Sequence, residues 1–486
     1  MKFFPERTVF MTIGPLTIRW YAVLILCGAF IAYYFARKNL KEYRNIDVDG
    51  FFDDVFLWLL WGGIVGARLW FCLFYNAEYY FSHPVDILKV WDGGLAFHGG
   101  FVGGLIAVLI LCRKRNKPFI KVLDAIAPTV LIGQAIGRWG NFVNQECHGS
   151  EVSADYFNGL LSFLKDDMFI NGAYYKPLFF YESMLCLLGF ILINFILKKT
   201  RSRRGEMVGA YLIWYGIVRF FIEGDRTDSL LIGSLKTAQV TSIVFVLIGV
   251  LFYLGFYEKI FKRQKPTVIF DLDGTLQNST PAIIESFKAT FEKYGKVEDF
   301  TPDRQLEVLG PPIRDMFEKY FPDKDPDELC AYYREINHRL LAEHLDPMPN
   351  ALETVAALKE EGCRLAIFTT RDDSSVYNCL KKCGFKDNDF DTVITLNAVK
   401  KTKPDPEGLF KAVDTNRLNS ADVIYVGDST ADIQAGKAYG AYTVCYSVLE
   451  GKKALIEAEG PNRIISDLAE LKDIVREEHY FTYDLK

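Results

Sequence analysis

No CxxC pair occurs among the ten cysteines of this 486-residue chain, and Cys379 and Cys383 have no matching histidine or cysteine pair nearby. That absence removes cysteine-based metal sites and leaves free thiols in a reducing or lipid setting. The N-terminus lacks a short apolar region followed by a small-residue cleavage site, so residues 16–36 read as a retained membrane span. Paired half-chain repeats are missing too, which counts against a repeat-built transporter. The net charge of −5 averages two unlike stretches and implies no nucleic-acid partner.

What is present divides the chain. Hydrophobic residues make up 50% and aromatics 15%, yet 24% of residues are charged. Both hold only if the chain is split. Residues 1–262 are dense in Phe, Leu, Ile, Trp and Gly, whereas residues 263–486 have the composition of a soluble domain.

A bilayer core needs roughly 20 apolar residues per helix. Seven spans are expected: Leu16–Ala36, Phe51–Tyr75, Leu95–Cys112, Val122–Arg138, Leu178–Leu197, Met207–Ile222 and Thr237–Phe256. The fourth and sixth carry polar residues (Asp124 and Gln134; Arg219). Basic clusters follow spans one (Arg37, Lys38, Lys41, Arg44), three (Arg113, Lys114, Arg115, Lys117), five (Lys198, Lys199, Arg201, Arg203, Arg204) and seven (Lys259, Lys262, Arg263, Lys265). Alternate connections are therefore basic, which predicts that they face the cytoplasm, with the N-terminus outside.

The other connections, 76–94, 139–177 and 223–236, hold isolated polar groups. Gly137-Arg138-Trp139-Gly140-Asn141-Phe142-Val143-Asn144-Gln145-Glu146 is the densest run. Tyr215, Arg219 and Glu223 recur at one helix face. In Trp91-Asp92-Gly93-Gly94-Leu95-Ala96-Phe97-His98-Gly99-Gly100, glycines allow the backbone close to His98. Charged groups at the end of an apolar span need partners. Two readings stand on the residues alone: an ion-pair lattice (Arg219–Glu223, Arg138–Glu146) that joins helices, or a phospholipid-headgroup site built on guanidinium forks.

The run GRWGNFVNQE resembles the signature of the prolipoprotein diacylglyceryl transferases. So do FHGG after an acidic-Gly-Gly, IRWYA at 18–22 and YGIVRFFIE at 215–223, in the same order. The resemblance implies transfer of a diacylglyceryl group from phosphatidylglycerol to the cysteine thiol of a prolipoprotein, with release of glycerol phosphate. It implies that Arg138 and Arg219 grip the lipid phosphate, that His98 is a base for the thiol or a headgroup ligand, and that Tyr21, Asn141, Asn144, Glu146, Tyr215 and Glu223 shape the pocket. One departure is Lys176-Pro-Leu-Phe-Phe-Tyr181-Glu182, which keeps Pro177, Tyr181 and Glu182 of a family stretch but not its His and Gln.

After a basic tether, 257–266, strand-like and helical patterns alternate, as in a parallel sheet covered by helices. Expected strands are Thr267–Phe270, Arg364–Phe368, Thr392–Thr395, Asp422–Val426 and Tyr442–Cys445. Three strand ends carry polar motifs: Asp271-Leu-Asp273-Gly274-Thr275-Leu276, Thr369-Thr370-Arg371, and Gly427-Asp428-Ser-Thr-Ala-Asp432, with Lys403-Pro404 before the last. Ligands bind at such carboxyl ends. Clustered aspartates ask for a hard cation such as Mg2+, and an aspartate can attack phosphorus.

This set resembles the haloacid dehalogenase phosphatases, within them the phosphoglycolate-phosphatase-like group. The resemblance implies Asp271 as nucleophile, Asp273 as general acid/base, Thr369 and Lys403 on the phosphoryl group, and Mg2+ held by Asp271, Asp273 and Asp428 with Asp432 supporting. Helical patterning at Ala282–Tyr294, Ile313–Tyr320 and Glu328–His344 predicts a cap over roughly 279–346, and Arg314 faces either substrate or solvent.

The expectation is thus a multi-domain protein. An all-α polytopic membrane domain (1–262, seven transmembrane helices) precedes a linker (263–266) and an α/β Rossmann-like domain with a helical cap (267–486). Its partners would be phosphatidylglycerol, a prolipoprotein, a small organic phosphate and the lipid bilayer. Its place would be the bacterial cell membrane, with the phosphatase in the cytoplasm. The alternative is a membrane transporter or anchor carrying a regulatory phosphatase module.

Overall fold

The computed structural model describes residues 8–14, 16–42, 50–75, 77–89, 94–200, 204–226, 231–232, 235–256, 265–309, 311–343, 345–420, 422–447 and 453–476. Trp91, Asp92 and Gly93, the basic residues Arg44, Arg201, Arg203, Lys259, Lys262 and Arg263, and most of the 257–266 tether lie outside these.

The first half is helical. Its main helices are α1 (Trp20–Leu40), α2 (Phe51–Phe74), α3 (Phe97–Lys114), α4 (Phe119–Asn144), α5 (Leu178–Thr200), α6 (Glu206–Gly224) and α7 (Thr237–Tyr253). Helices satisfy their own backbone groups, which apolar surroundings require. Five of them, α1, α2, α4, α5 and α6, are long and apolar enough to cross a membrane. The seven-span expectation is met by five on that measure; α3 and α7 are apolar but shorter.

Two helices extend past their expected ends. α4 runs on to Asn144, so the GRWGNFVN run lies on its last turns and not in a connection. α1 begins after a hairpin of Val9–Ile13 with Leu16–Arg19, which takes up the first residues of the expected span.

α2 and α3 approach closely because both present glycines at four-residue spacing. A Cβ on Gly66 would lie 2.3 Å from the Gly99 carbonyl oxygen and 2.7 Å from the Gly103 Cα. Asp124, a polar residue inside α4, has a structural task. Its carboxylate accepts the amides of Gly205 (2.7 Å) and Val208 (3.0 Å), satisfying orphan donors at the start of α6. Between α4 and α5, a small three-stranded sheet (Glu151–Val152, Phe169–Ile170, Ala173–Tyr175) encloses Phe157, Leu164 and Met168.

The second half is an α/β unit. Strands β1 (Thr267–Phe270), β2 (Arg364–Phe368), β3 (Thr392–Ile394), β4 (Val423–Gly427), β5 (Tyr442–Tyr446) and β6 (Arg463–Ile465) form one sheet in the order β3-β2-β1-β4-β5-β6, every pair parallel. β1 and β4 are buried throughout, as short apolar runs covered on both faces should be. Five strands match the sequence expectation within a residue or so at each end; β6 is additional. Helices α8 (Thr280–Lys293), α9 (Ile313–Tyr320) and α10 (Pro326–Glu343) form the cap between β1 and β2, with a separate core around Phe287, Phe291 and Phe317. The loops at 115–118 and 204–205 meet the α/β unit, at the ends of α4 and α6 remote from Arg138 and Arg219.

Candidate active sites

The helical half gathers its charges around a residue that sequence reasoning left without a role. Glu182, on the first turns of α5, is buried, with 3% of its side chain exposed. Its Oε1 lies 2.6 Å from Arg138 Nη2 and its Oε2 lies 3.5 Å from Arg219 Nη1. Arg219 Nη2 meets Glu223 Oε2 at 2.7 Å, one turn along α6, and Arg226 Nη1 approaches the same oxygen at 3.7 Å. The expected Arg219–Glu223 pair is therefore present, while Arg138 pairs with Glu182 in place of Glu146. The clue lay in the sequence: a lone carboxylate at the start of an apolar span needs a cation.

Arg138 also donates to Asn141 Oδ1 at 3.3 Å. Asn144 Oδ1 is buried and lacks a hydrogen-bond partner, as does Gln134 Oε1. Such acceptors are costly unless a ligand donor or water meets them. Tyr215 is buried, its ring parallel to that of Tyr211 at 6.0 Å. Tyr21 packs against Gly140, where a Cβ would come within 2.5 Å of its ring. Glu146 is exposed beyond the end of α4. His98 stands at the start of α3, its ring 6.4 Å from that of Trp70, on a different helix pair from the arginines. The structure thus unites Arg138, Arg219, Glu223, Asn141 and Tyr215 with Glu182, and leaves His98 and Glu146 at the margin.

In the α/β half, Asp271 follows β1, Asp428 follows β4, and Asp432 occupies the first turn of the next helix, Thr430–Tyr439. Each offers an oxygen, and these oxygens lie within 4.8 Å of one another. Three carboxylates that close suit a hard divalent cation. Gly274 takes φ +79°, and a Cβ there would lie 2.6 Å from Asp428 Oδ2, so the glycine of the first motif makes room for the third.

Lys403 Nζ reaches Asp271 Oδ1 at 2.5 Å and Asp432 Oδ1 at 2.7 Å. Burial pulls the Lys403 ammonium down, but the two carboxylates outweigh it and hold its pKa above the ordinary lysine value. Asp432 is also held by the Ser429 amide and hydroxyl and by Tyr425. Despite burial, Lys403 and these donors keep its carboxyl below the usual range. Burial pushes Asp271 well up, aided by the neighbouring carboxylates and opposed by Lys403.

Two of the expected residues have other neighbours in this structure. Asp273 was expected among the metal ligands; its carboxylate instead meets Arg371 in a two-pronged pair, Oδ2 to Nε at 2.7 Å and Oδ1 to Nη2 at 2.8 Å, with Gln277 donating at 2.8 Å. Asp432 is the third carboxylate close to Asp271 and Asp428. Burial opposes ionisation of Asp273, yet the Arg371 charge and hydrogen bonds hold its pKa below the ordinary carboxylate value. Thr369, expected on the phosphoryl group, is buried and accepts the Arg371 amide at 3.2 Å, whereas Thr370 lines the cavity.

That cavity measures about 460 Å³ and opens between core and cap. Asp271, Asp428, Asp432 and Lys403 form one wall, and Tyr333, Arg334 and His338 of α10 another. Arg314 lines it too, but is tied to Asp327 (2.5 Å) and Glu318 (2.9 Å).

Residues 8–255 match the family model of prolipoprotein diacylglyceryl transferases. The chain belongs to that family. The phosphatidylglycerol–prolipoprotein diacylglyceryl transferase of Halalkalibacterium halodurans is 44% identical over 245 residues, covering 50% of this chain and 83% of that protein. The Staphylococcus xylosus enzyme of the same name is 41% identical over 242 residues, covering 49% and 85%. Diacylglyceryl transferase relatives thus account for about half of the chain.

Residues 268–446 match the model of haloacid dehalogenase-like hydrolases. A haloacid dehalogenase-like hydrolase from Bacteroides fragilis aligns over 43% of this chain and 100% of its own, at 27% identity and TM-score 0.38. A Streptococcus pneumoniae protein described in the same terms aligns over 43% and 98%, at 22% identity and TM-score 0.39. Two family models thus match successive parts of the chain, residues 8–255 and residues 268–446.

Proposed function

We propose that residues 1–262, as a seven-span membrane domain, transfer diacylglycerol from phosphatidylglycerol to the cysteine thiol of prolipoproteins. After the 263–266 linker, residues 267–486 hydrolyse a small organic phosphate in the cytoplasm. The observation that carries the first reading is the pairing of two arginines in the helical cluster. Arg138 and Arg219, from two different helices, converge on the one buried carboxylate of Glu182, which sets two guanidinium forks side by side as an anionic headgroup requires.

In the transfer, the thiol sulfur bonds to the terminal glycerol carbon of the diacylglyceryl group. The carbon–oxygen bond to phosphate breaks, and glycerol phosphate leaves with that electron pair. Arg138 and Arg219 stabilise the departing phosphate. The thiol proton passes to a base, for which His98 is the candidate, since only the thiolate is a strong nucleophile. Tyr21, Asn141, Asn144, Glu146 and Tyr215 orient the headgroup, because an unactivated carbon demands positioning.

In the hydrolase, Asp271, Asp428 and Asp432 would hold Mg2+, which neutralises their charge and that of the phosphoryl oxygens. Asp271 attacks phosphorus, forming an aspartyl-phosphate and expelling the alcohol. Freed from Arg371, Asp273 takes up a proton from solvent, gives it to the departing alcohol, and then takes one from the water that releases inorganic phosphate. Its present pairing means that Arg371 must let go before that proton moves. Lys403 and Thr370 meet the phosphoryl oxygens.

Two assays test this. The full chain should lipidate a cysteine-bearing precursor peptide in phosphatidylglycerol vesicles and not in phosphatidylcholine vesicles. It should also release phosphate from p-nitrophenyl phosphate only with a divalent cation. Lipidation without phosphatidylglycerol refutes the first reading, and metal-independent release refutes the second.

A further inference from the structure

The two halves meet through specific contacts, and the contacts orient the second. Asn116, in the loop between α3 and α4, donates to the carbonyls of Val413 (3.2 Å) and Leu418 (2.9 Å). Val413 lies in the last turn of α11 (Glu407–Thr415), so a side chain of the helical half caps a helix of the α/β half. The next residue, Lys117, places its ammonium 3.5 Å from Asp414 and over the Phe410 ring at 5.7 Å. A cation there also complements the negative end of that helix. A second point of contact joins Arg204, just before α6, to Asp422 through both of its terminal nitrogens. Asp422 keeps only 3% of its side chain exposed and Arg204 14%, so this pair is largely shielded from solvent.

All these partners lie at one edge of the sheet. Asp422 immediately precedes β4 and Asp428 immediately follows it. The five strand residues between Asp422 and Asp428 put the docked end roughly 20 Å from the carboxylate cluster. The docked edge is the amino edge, and the 460 Å³ cavity opens at the carboxyl edge.

We infer that the hydrolase half is docked on the basic loops of the membrane half with its cavity turned away from the bilayer. The cavity therefore opens to the aqueous phase, out of reach of a phosphate headgroup still anchored in the lipid. The inference rests on reading the helices as membrane-spanning; it fixes the phase from which the proposed hydrolase draws its substrate.

The test uses the full chain in lipid nanodiscs. A carbodiimide, which couples amines only to carboxylates in contact, should yield a Lys117–Asp414 cross-link by mass spectrometry. Lys411–Glu407, at 2.7 Å within α11, is the internal control. Arg204→Glu should reduce the Lys117–Asp414 link, and adding Asp422→Arg should restore it. Recovery of the control without the Lys117–Asp414 link overturns the docking. Phosphate release is then compared between p-nitrophenyl phosphate in solution and phosphatidic acid in the disc. Release from the soluble ester alone is expected; comparable release from phosphatidic acid overturns the orientation. Release from neither defeats the hydrolase reading and the substrate phase built on it, and leaves the docking to be decided by the cross-link.

Discussion

In the helical half, two guanidiniums (Arg138, Arg219) share one buried carboxylate, Glu182; in the α/β half, one ammonium, Lys403, is shared by two carboxylates, Asp271 and Asp432. The proposed ligands differ accordingly, an anion where guanidiniums gather and a cation where carboxylates do. Internal pairing also differs in purpose. Glu182 keeps Arg138 and Arg219 side by side against their repulsion, while Lys403 separates Asp271 from Asp432. A buried ion pair contributes little net stability, but removing one partner strands a charge. The comparison can therefore be broken one member at a time.

The largest expected effects separate the two reactions. Asp271→Asn should lower phosphate release by about 10⁴-fold or more, the scale seen when a nucleophile is removed. The same protein should lipidate peptide at an unchanged rate. Arg138→Ala should do the reverse. Loss of both activities in either variant, with the protein intact by gel filtration, would mean that the sites are not independent.

Glu182→Gln should cost about 10²-fold in lipidation kcat/KM, or about 2.7 kcal/mol, through misplacement of both arginines. A near-wild-type rate would demote the bridge to packing.

Arg371→Ala strands the Asp273 carboxylate and should destabilise the α/β half by about 3 kcal/mol, read as a fall of several degrees in its melting temperature. The pH dependence carries a definite sign. Asp273 and Asp432 titrate below the ordinary carboxylate value, so their stabilisation is full above about pH 4 and lost as pH falls through their lower folded values. Melting temperature should drop on acidification below pH 4, and Arg371→Ala should flatten part of that drop. A parallel curve for the variant would exclude the pair as its source.

Asp124→Asn, which weakens the cap of α6, should cost only about 1 kcal/mol in thermal unfolding in micelles, with both activities retained.

Much of this arrangement was readable from residue order. β1, β2 and β4 announce themselves as short apolar runs ending in Asp or Thr, and the open parallel sheet places those ends together. Tyr215, Arg219 and Glu223 share a face because helical periodicity requires it. What escaped were partnerships between distant elements. Nothing local tells Arg138 to choose Glu182 over the nearer Glu146, or Asp273 to turn toward Arg371. Asp432 lies a turn past its motif aspartate, and only the start of its helix swings it into the cluster. β6 escaped because Arg463–Ile465 is three residues long at a sheet edge, with two of them exposed.

The contact between Asn116, Lys117 and the end of α11 bears on how such a two-part chain arises. Positively charged loops on one face are something any polytopic protein of this kind already displays, for reasons of insertion alone. An incoming soluble partner thus finds a ready-made seat. It needs only a pair of acids, such as Asp414 and Asp422, on the side of its sheet that catalysis leaves idle.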